Sequence, residues 1–124
     1  MATILVIDDV PAVLFSVKII LQGAGHKVTG AGTGALGLDL LKGTIFDLVI
    51  TDIWMPGSSG QDVIRQGRKQ SPTTRFMAIT GGDPNLSDHL DQVHRQDYGA
   101  DLVLFKPFEK AQLLDAVSNV LSAA

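Results

Sequence analysis

Residues 47–52 of this chain read Asp-Leu-Val-Ile-Thr-Asp, and this segment constrains the fold more than any other. Its unbroken apolar run lacks polar alternation, which predicts a strand buried on both faces, as in a parallel sheet. Pro56 and Gly57 then mark a loop. Asp52 is therefore expected at the carboxyl end of a central strand, where open α/β sheets hold their functional groups. A lone aspartate there more often caps a turn, so its meaning depends on its neighbours.

Strand-like and helix-like segments alternate along the whole chain with short connections. The predicted strands are residues 4–7, 27–31, 47–52, 75–80 and 102–105. The predicted helices run from Pro11 to about Gly23 and over residues 34–41, 59–70, 85–98 and 109–121. This order predicts an α/β fold, a doubly wound five-stranded parallel sheet with five helices on its two faces. No linker or repeat interrupts the pattern, so residues 1–124 are expected to form one stand-alone domain.

The composition excludes several classes of function. The chain has 124 residues, of which 45% are hydrophobic and 19% charged, as in ordinary globular domains. A formal net charge of −3 argues against nucleic-acid binding, and the lack of cysteine excludes disulfides and thiolate metal sites. The N-terminal apolar run is too short for a signal or membrane-spanning segment, so we expect a cytoplasmic protein with no membrane partner.

Polar side chains stand at four of the five predicted strand ends. Asp8 and Asp9 follow the first strand, Asp52 ends the third, Thr80 ends the fourth and Lys106 follows the fifth. These ends share one edge of a parallel sheet, where unit charges 4 Å apart repel by about 4 kcal/mol at an effective dielectric constant of about 20. Such a cluster stays ionised only around a cation, and oxygen ligands favour Mg²⁺. A carboxylate beside that ion could accept a phosphoryl group.

In this order and spacing, these motifs resemble those of response-regulator receiver domains in two-component signalling. The matching motifs are Asp8-Asp9, Asp52 with Met55-Pro56-Gly57, Thr80-Gly81 and Lys106-Pro107. The resemblance covers the full chain and implies a flavodoxin-like sheet of strand order 2-1-3-4-5. It also implies a switch that catalyses only its own phosphorylation and dephosphorylation.

The resemblance further implies a role for each residue at the site. Asp52 is the phosphoacceptor, and Asp9 and Asp52 bind Mg²⁺ (or Mn²⁺) directly. Asp8 acts on the metal through water, and the backbone carbonyl of Trp54 completes the protein ligands. Two further side chains, Thr80 and Lys106, bind the phosphoryl oxygens. The phosphodonor is a histidine kinase or a histidine phosphotransfer protein.

The first helix carries an unusually apolar outer face. If Val13, Val17, Ile20 and Leu21 face the core, another set should face away from it, namely Leu14, Phe15, Lys18 and Ile19. Exposed apolar patches usually mark a partner surface. This one lies beside the acidic cluster, so we expect it to dock the phosphodonor, together with Pro107 and Phe108. Packing against a neighbouring element is the alternative.

Other readings of the sequence explain less. Residues 32–37 fit the dinucleotide pattern G-x-G-x-x-G, but that reading leaves the residues at the strand ends without a role. A flavodoxin would need a phosphate-binding loop after the first strand, where this chain is acidic. Within the receiver family, a phosphate shuttle in a multistep relay or an unphosphorylated scaffold remains open.

Three features depart from the usual receiver pattern. Val103 stands where many receivers have an aromatic residue that moves inward on activation. The segment from Thr80 to Lys106 is a few residues longer than is usual in the family, and residues 81–84 offer a mobile hinge into a longer fourth helix. Trp54 and Gly82 occupy positions that tune dephosphorylation in the family.

Overall fold

The computed structural model describes residues 1–81 and 98–123, and five parallel strands in this part of the chain form one sheet. They are β1 (Thr3–Ile7), β2 (Lys27–Ala31), β3 (Leu48–Asp52), β4 (Arg75–Thr80) and β5 (Leu102–Phe105). Their spatial order is β2-β1-β3-β4-β5. The predicted strands and the implied strand order are confirmed.

Helices cover both faces of the sheet. Within the described ranges they are α1 (Pro11–Gly23), α2 (Gly34–Gly43), α3 (Gly60–Gln70) and α4 (Lys110–Ser122). One apolar cluster joins α1 and α4 to one face, and a second joins α2 and α3 to the other. The sheet is therefore doubly wound, as predicted. Residues 85–97 of the remaining predicted helix lie outside the described residues, and Tyr98 lies in a turn.

The central strand β3 is buried along its whole length, which explains its unbroken apolar run. Leu48 and Ile50 point into the cluster beneath α1 and α4, whereas Val49 points into the cluster beneath α2 and α3. Each of the three side chains is 0% exposed. β3 is the middle strand of the five. Its carboxyl end therefore lies at the centre of the side of the sheet where the carboxyl ends of all five strands meet.

The glycine-rich segment that resembled a dinucleotide loop serves the packing of α2. The hydroxyl of Thr33 accepts a hydrogen bond from the Leu36 N–H at 3.1 Å and so caps the helix. Gly37 lies against the side chain of Ile7, where a Cβ atom would overlap Ile7 Cδ1. Glycine therefore allows a close approach between helix and strand.

The segment after β3, which the sequence predicted to be a loop, contains regular strand pairing. Trp54–Met55 pairs with Ser58–Ser59 as a short antiparallel hairpin, and Gly57 takes a φ of +79° at its turn. The Gly60 N–H donates a hydrogen bond to the Ile53 carbonyl at 2.9 Å, which closes the hairpin.

Across residues 1–81 and 98–123, every helix falls short of the length and apolarity needed to cross a bilayer.

Candidate functional site

Three carboxylates meet at the carboxyl edge of the sheet. Ile7 of β1 pairs with Thr51 of β3, so that the residues following them, Asp8 and Asp52, come side by side. Asp9 joins them, and one carboxylate oxygen from each of the three residues lies within 4.8 Å of the others. Asp8 and Asp52 are 3% and 5% exposed, and Asp9 is half-buried. The predicted convergence of acids from two strands is therefore present.

The ammonium group of Lys106 lies against two of these acids. Lys106 Nζ is 3.2 Å from Asp8 Oδ2 and 3.6 Å from Asp52 Oδ2. The backbone N–H of Lys106 donates to the Thr80 carbonyl at 2.8 Å, which extends the pairing of β4 with β5 beyond Phe105. The sheet thereby directs the lysine toward the acidic cluster, and the following bond to Pro107 is cis.

Burial changes the acidity of the central carboxylate. Desolvation raises the pKa of Asp52 to about 6, and the negative charges of Asp8 and Asp9 act in the same direction. The positive charge of Lys106 and a hydrogen bond from the Ile53 backbone oppose this rise in pKa. The single positive charge of Lys106 therefore does not balance the negative charges of the three carboxylates.

Asp8 also has a structural bond at the start of α1. Its Oδ1 atom accepts a hydrogen bond from the Val10 N–H at 2.9 Å, while Oδ2 faces Lys106. This bond fixes the turn between β1 and α1, and with it the direction of the carboxylate. The sequence did not reveal this second role.

Thr80 lies at the same edge, at the end of the strand next to β3. The Ile53 N–H donates to the Ile79 carbonyl at 3.1 Å, so the segment after Asp52 stays paired with the last residues of β4. Thr80 is 0% exposed. The two strand ends therefore bring Thr80 beside the acidic cluster, as the parallel sheet required.

Trp54 lies two residues beyond Asp52 and is 37% exposed. Its indole ring meets Tyr98 edge to face, with 6.3 Å between the ring centroids and an interplanar angle of 87°. Tyr98 is 5% exposed and has a φ of 56°, which is uncommon for a bulky residue. Sequence reasoning missed this residue, although an aromatic before Gly99 was a signal for a buried turn.

The outer face of α1 differs in part from the prediction. Phe15 and Ile19 are 66% and 51% exposed, as expected for a free surface. The expectation that Leu14 faces away is wrong, because its side chain is half-buried and packs toward Gly30 of β2. Gly30 has no side chain, so it leaves space that Leu14 occupies. Lys18 is also only half-exposed.

A groove of about 380 Å³ runs beside this face, between α1 and the segment after β5. It is lined mainly by apolar side chains and also by Lys106. The lining residues are Ala12, Val13, Ser16, Val17, Ile20, Lys106, Pro107 and Phe108. The groove therefore connects the acidic cluster with α1, and it includes the predicted docking residues Pro107 and Phe108.

The cluster has the donors that a hard divalent cation requires. Its three acids supply only oxygen atoms, close enough to share one ion. Such ions are usually held by one or two carboxylates together with water and phosphate oxygens. Two of the acids are buried and one has a raised pKa, so a further positive charge would relieve an existing electrostatic cost. The residues therefore fit Mg²⁺.

Comparison with known proteins leads to a single family. The family model for the response regulator receiver domain matches residues 4–118. PilH of Pseudomonas aeruginosa is 32% identical over 122 residues, which cover 98% of this chain and 99% of PilH. ArlR of Staphylococcus epidermidis is also 32% identical, over 98% of this chain but only 53% of ArlR, so the chain spans about half that relative.

A solved structure gives the same result for the fold. The response regulator TrrA of Thermotoga maritima, solved in complex with Mg²⁺ and BeF, aligns with a TM-score of 0.82 at 30% identity. The alignment covers 97% of this chain and 99% of TrrA.

Proposed function

Because this chain belongs to the response regulator receiver domain family, we propose that it is a switch operated by phosphorylation of Asp52. The observation that carries the proposal is the acidic cluster formed by β1 and β3, with Lys106 Nζ 3.6 Å from Asp52 Oδ2. Asp52 is the acid of the three that ends the central strand, and it contacts the lysine. It is thus the best-placed nucleophile.

In the proposed step, an Asp52 carboxylate oxygen attacks the phosphorus of a phosphohistidine on the donor. A bond forms between that oxygen and phosphorus, the bond between phosphorus and the imidazole nitrogen breaks, and its electron pair stays with that nitrogen. Lys106 and the Thr80 hydroxyl would bind the phosphoryl oxygens. Phosphoryl transfer depends mainly on such positioning and on charge neutralisation.

Asp9 and Asp52 would bind Mg²⁺ directly, and Asp8 would hold it through water. We propose the backbone carbonyl of Trp54 as the remaining protein ligand and expect Mn²⁺ to substitute, since it also favours octahedral oxygen ligands. When bound, the ion supplies positive charge to the phosphoryl oxygens during transfer.

We propose that the domain also catalyses removal of its own phosphoryl group. A water oxygen would attack phosphorus, the bond from phosphorus to Asp52 would break, and the water would release a proton to solvent. The products are the original carboxylate and inorganic phosphate. The residues that assist phosphoryl transfer would also assist this hydrolysis, because the phosphoryl oxygens carry similar negative charge in the two transition states.

The proposed phosphodonor is a histidine kinase or a histidine phosphotransfer protein docked on α1. Phe15 and Ile19 would form the centre of contact, with Lys18 at its edge and the groove at Pro107 and Phe108 beside it. A donor there would lie next to the acidic cluster. We propose the cytoplasm as the site of action, since kinases draw their phosphoryl groups from ATP. Output would pass through protein contacts.

Acetyl phosphate provides a test that needs no partner protein. With Mg²⁺, the wild-type chain should gain the mass of one phosphoryl group, and it should gain none when a chelator replaces the metal. Asp52→Asn should remove the gain, whereas Asp62→Asn, which alters a half-exposed acid paired with Arg65 on α3, should leave it intact. A wild-type chain that never gains this mass would support a scaffold instead.

A further inference from the structure

We propose that Gly60 is a positioning residue for the phosphorylation site, and that it acts by letting α3 lie directly on the backbone of Asp52. This inference rests on the function proposed above and extends it to a residue outside the charged cluster.

Gly60 is the first residue of α3 and is buried. A Cβ atom built there would overlap the carbonyl oxygen of Asp52. It would also lie 2.8 Å from Ile53 Cα and 2.9 Å from the Asp52 carbonyl carbon. These are backbone atoms of the site itself, so no rotation of a side chain can relieve the overlap. The requirement for glycine is therefore steric.

The loop between these residues is fixed by what surrounds it. The Gly60 N–H donates to the Ile53 carbonyl at 2.9 Å, and the Ile53 N–H donates to Ile79 at 3.1 Å. The Ser59 hydroxyl accepts from the Gln61 N–H at 3.0 Å and caps α3. The loop that carries Trp54 is thus held between the strand end and the helix start.

A side chain at residue 60 would have to push α3 and the end of β3 apart. Restoring ordinary contact distances requires a shift of about 1–1.5 Å, since non-bonded heavy atoms pack about 3.5–4.0 Å apart and the Asp52 carbonyl oxygen is overlapped most. That shift would fall on the Asp52 carboxylate and on the Trp54 carbonyl. Groups that orient metal ligands typically change metal affinity by about 10–100-fold when they are altered.

Gly67 provides a matched control on the same helix. It is also buried, and a Cβ atom there would lie 2.8 Å from the Phe76 ring. Phe76 pairs with Val49, near the opposite end of the sheet from Asp52. Gly67→Ala should therefore strain the core without touching the site.

The test measures thermal unfolding across a Mg²⁺ titration for the wild type, Gly60→Ala and Gly67→Ala. A ligand that binds the folded state raises the melting temperature according to its affinity. We expect Gly60→Ala to weaken Mg²⁺ binding about tenfold or more. Gly67→Ala should melt at a lower temperature but bind Mg²⁺ as the wild type does. Equal affinity in all three proteins, or equal loss in both variants, would overturn the role of Gly60.

Hydrogen exchange on the wild type gives an independent readout and decides the matter if Gly60→Ala fails to fold. Mg²⁺ should slow exchange of the Gly60 N–H more than exchange of the Gly67 N–H, because the acceptor Ile53 adjoins the metal ligands, whereas the Gly67 N–H reports only the general stabilisation of the folded state. A Gly60 rate that slows no more than the Gly67 rate would overturn the inference. A wild type that binds no Mg²⁺ at all would instead refute the proposed function on which it rests.

Discussion

The ammonium group of Lys106 lies 3.2 Å from a carboxylate oxygen of Asp8, although 98 residues separate them in the chain. β1 and β5 do not pair in the sheet, so this contact depends on the order of all the intervening strands. The lysine thereby brings positive charge to an acid whose neighbour on β3 is another carboxylate, Asp52.

Lys106→Met tests this charge. Phosphorylation by acetyl phosphate should slow by about a hundredfold, because a cation aimed at the phosphoryl oxygens is lost. Mg²⁺ should bind more tightly, because the ion no longer meets a positive neighbour. Lys110→Met, an exposed lysine at the start of α4, is the control and should change neither value. Unchanged phosphorylation in Lys106→Met would contradict the role given to Lys106.

The raised pKa of Asp52 predicts a pH dependence of stability. The pKa rises from 3.8 to about 6, so in the absence of metal the folded state holds a proton that the unfolded state releases. The free energy of unfolding should therefore fall as pH rises across this interval, by about 1–3 kcal/mol. Asp52→Asn should remove this part of the pH dependence and be the more stable protein at pH 7.

Urea unfolding with a chelator present measures both proteins. Asp115→Asn, an exposed acid on α4, serves as the control and should keep the wild-type slope. The same slope in Asp52→Asn as in the wild type would show that another group is responsible.

The α1 surface can be tested by adding charge to it. Phe15→Glu should slow phosphotransfer from a histidine donor by about tenfold or more, since buried aromatic residues dominate such contacts. Labelling by acetyl phosphate should not change, because the acidic cluster is intact. Ile45→Glu places the same charge on another exposed apolar residue, which is 80% exposed and lies outside α1. Equal loss with both phosphodonors would argue against docking.

The contact between Trp54 and Tyr98 should be measurable as a coupling energy. Edge-to-face aromatic pairs contribute about 0.5–1.5 kcal/mol beyond the area they bury. Trp54→Leu, Tyr98→Leu and the double variant form a cycle in which each ring's other contacts cancel. Urea unfolding should give a coupling in that range, and a coupling near zero would mean that the two rings pack independently.

Much of the fold could be predicted from local pattern. The unbroken run from Leu48 to Ile50 predicted a doubly buried strand because its neighbours would cover both faces. The acids and Lys106 could be expected at one edge because parallel strands share their carboxyl ends. The strand order, in contrast, came only through the family resemblance, since periodicity does not say which strands are neighbours.

What the sequence did not predict depends on contacts between distant segments. Leu14 was assigned to the outer face because helix periodicity could not show that Gly30 leaves space for it. The hairpin at Trp54 was missed because Pro56 and Gly57 indicate a turn but not its pairing. Gly60 lay within the predicted helix over residues 59–70 with no role of its own, and only the position of the Asp52 carbonyl shows why a side chain is excluded.

The most direct measurement is to locate the phosphoryl group on the chain. After treatment with acetyl phosphate and Mg²⁺, borohydride reduces an aspartyl phosphate to homoserine, which peptide mass spectrometry can find. We predict homoserine at residue 52 alone, and none when Mg²⁺ is withheld. Homoserine at another aspartate, or none in the presence of Mg²⁺, would contradict the assignment of Asp52 as the phosphoacceptor.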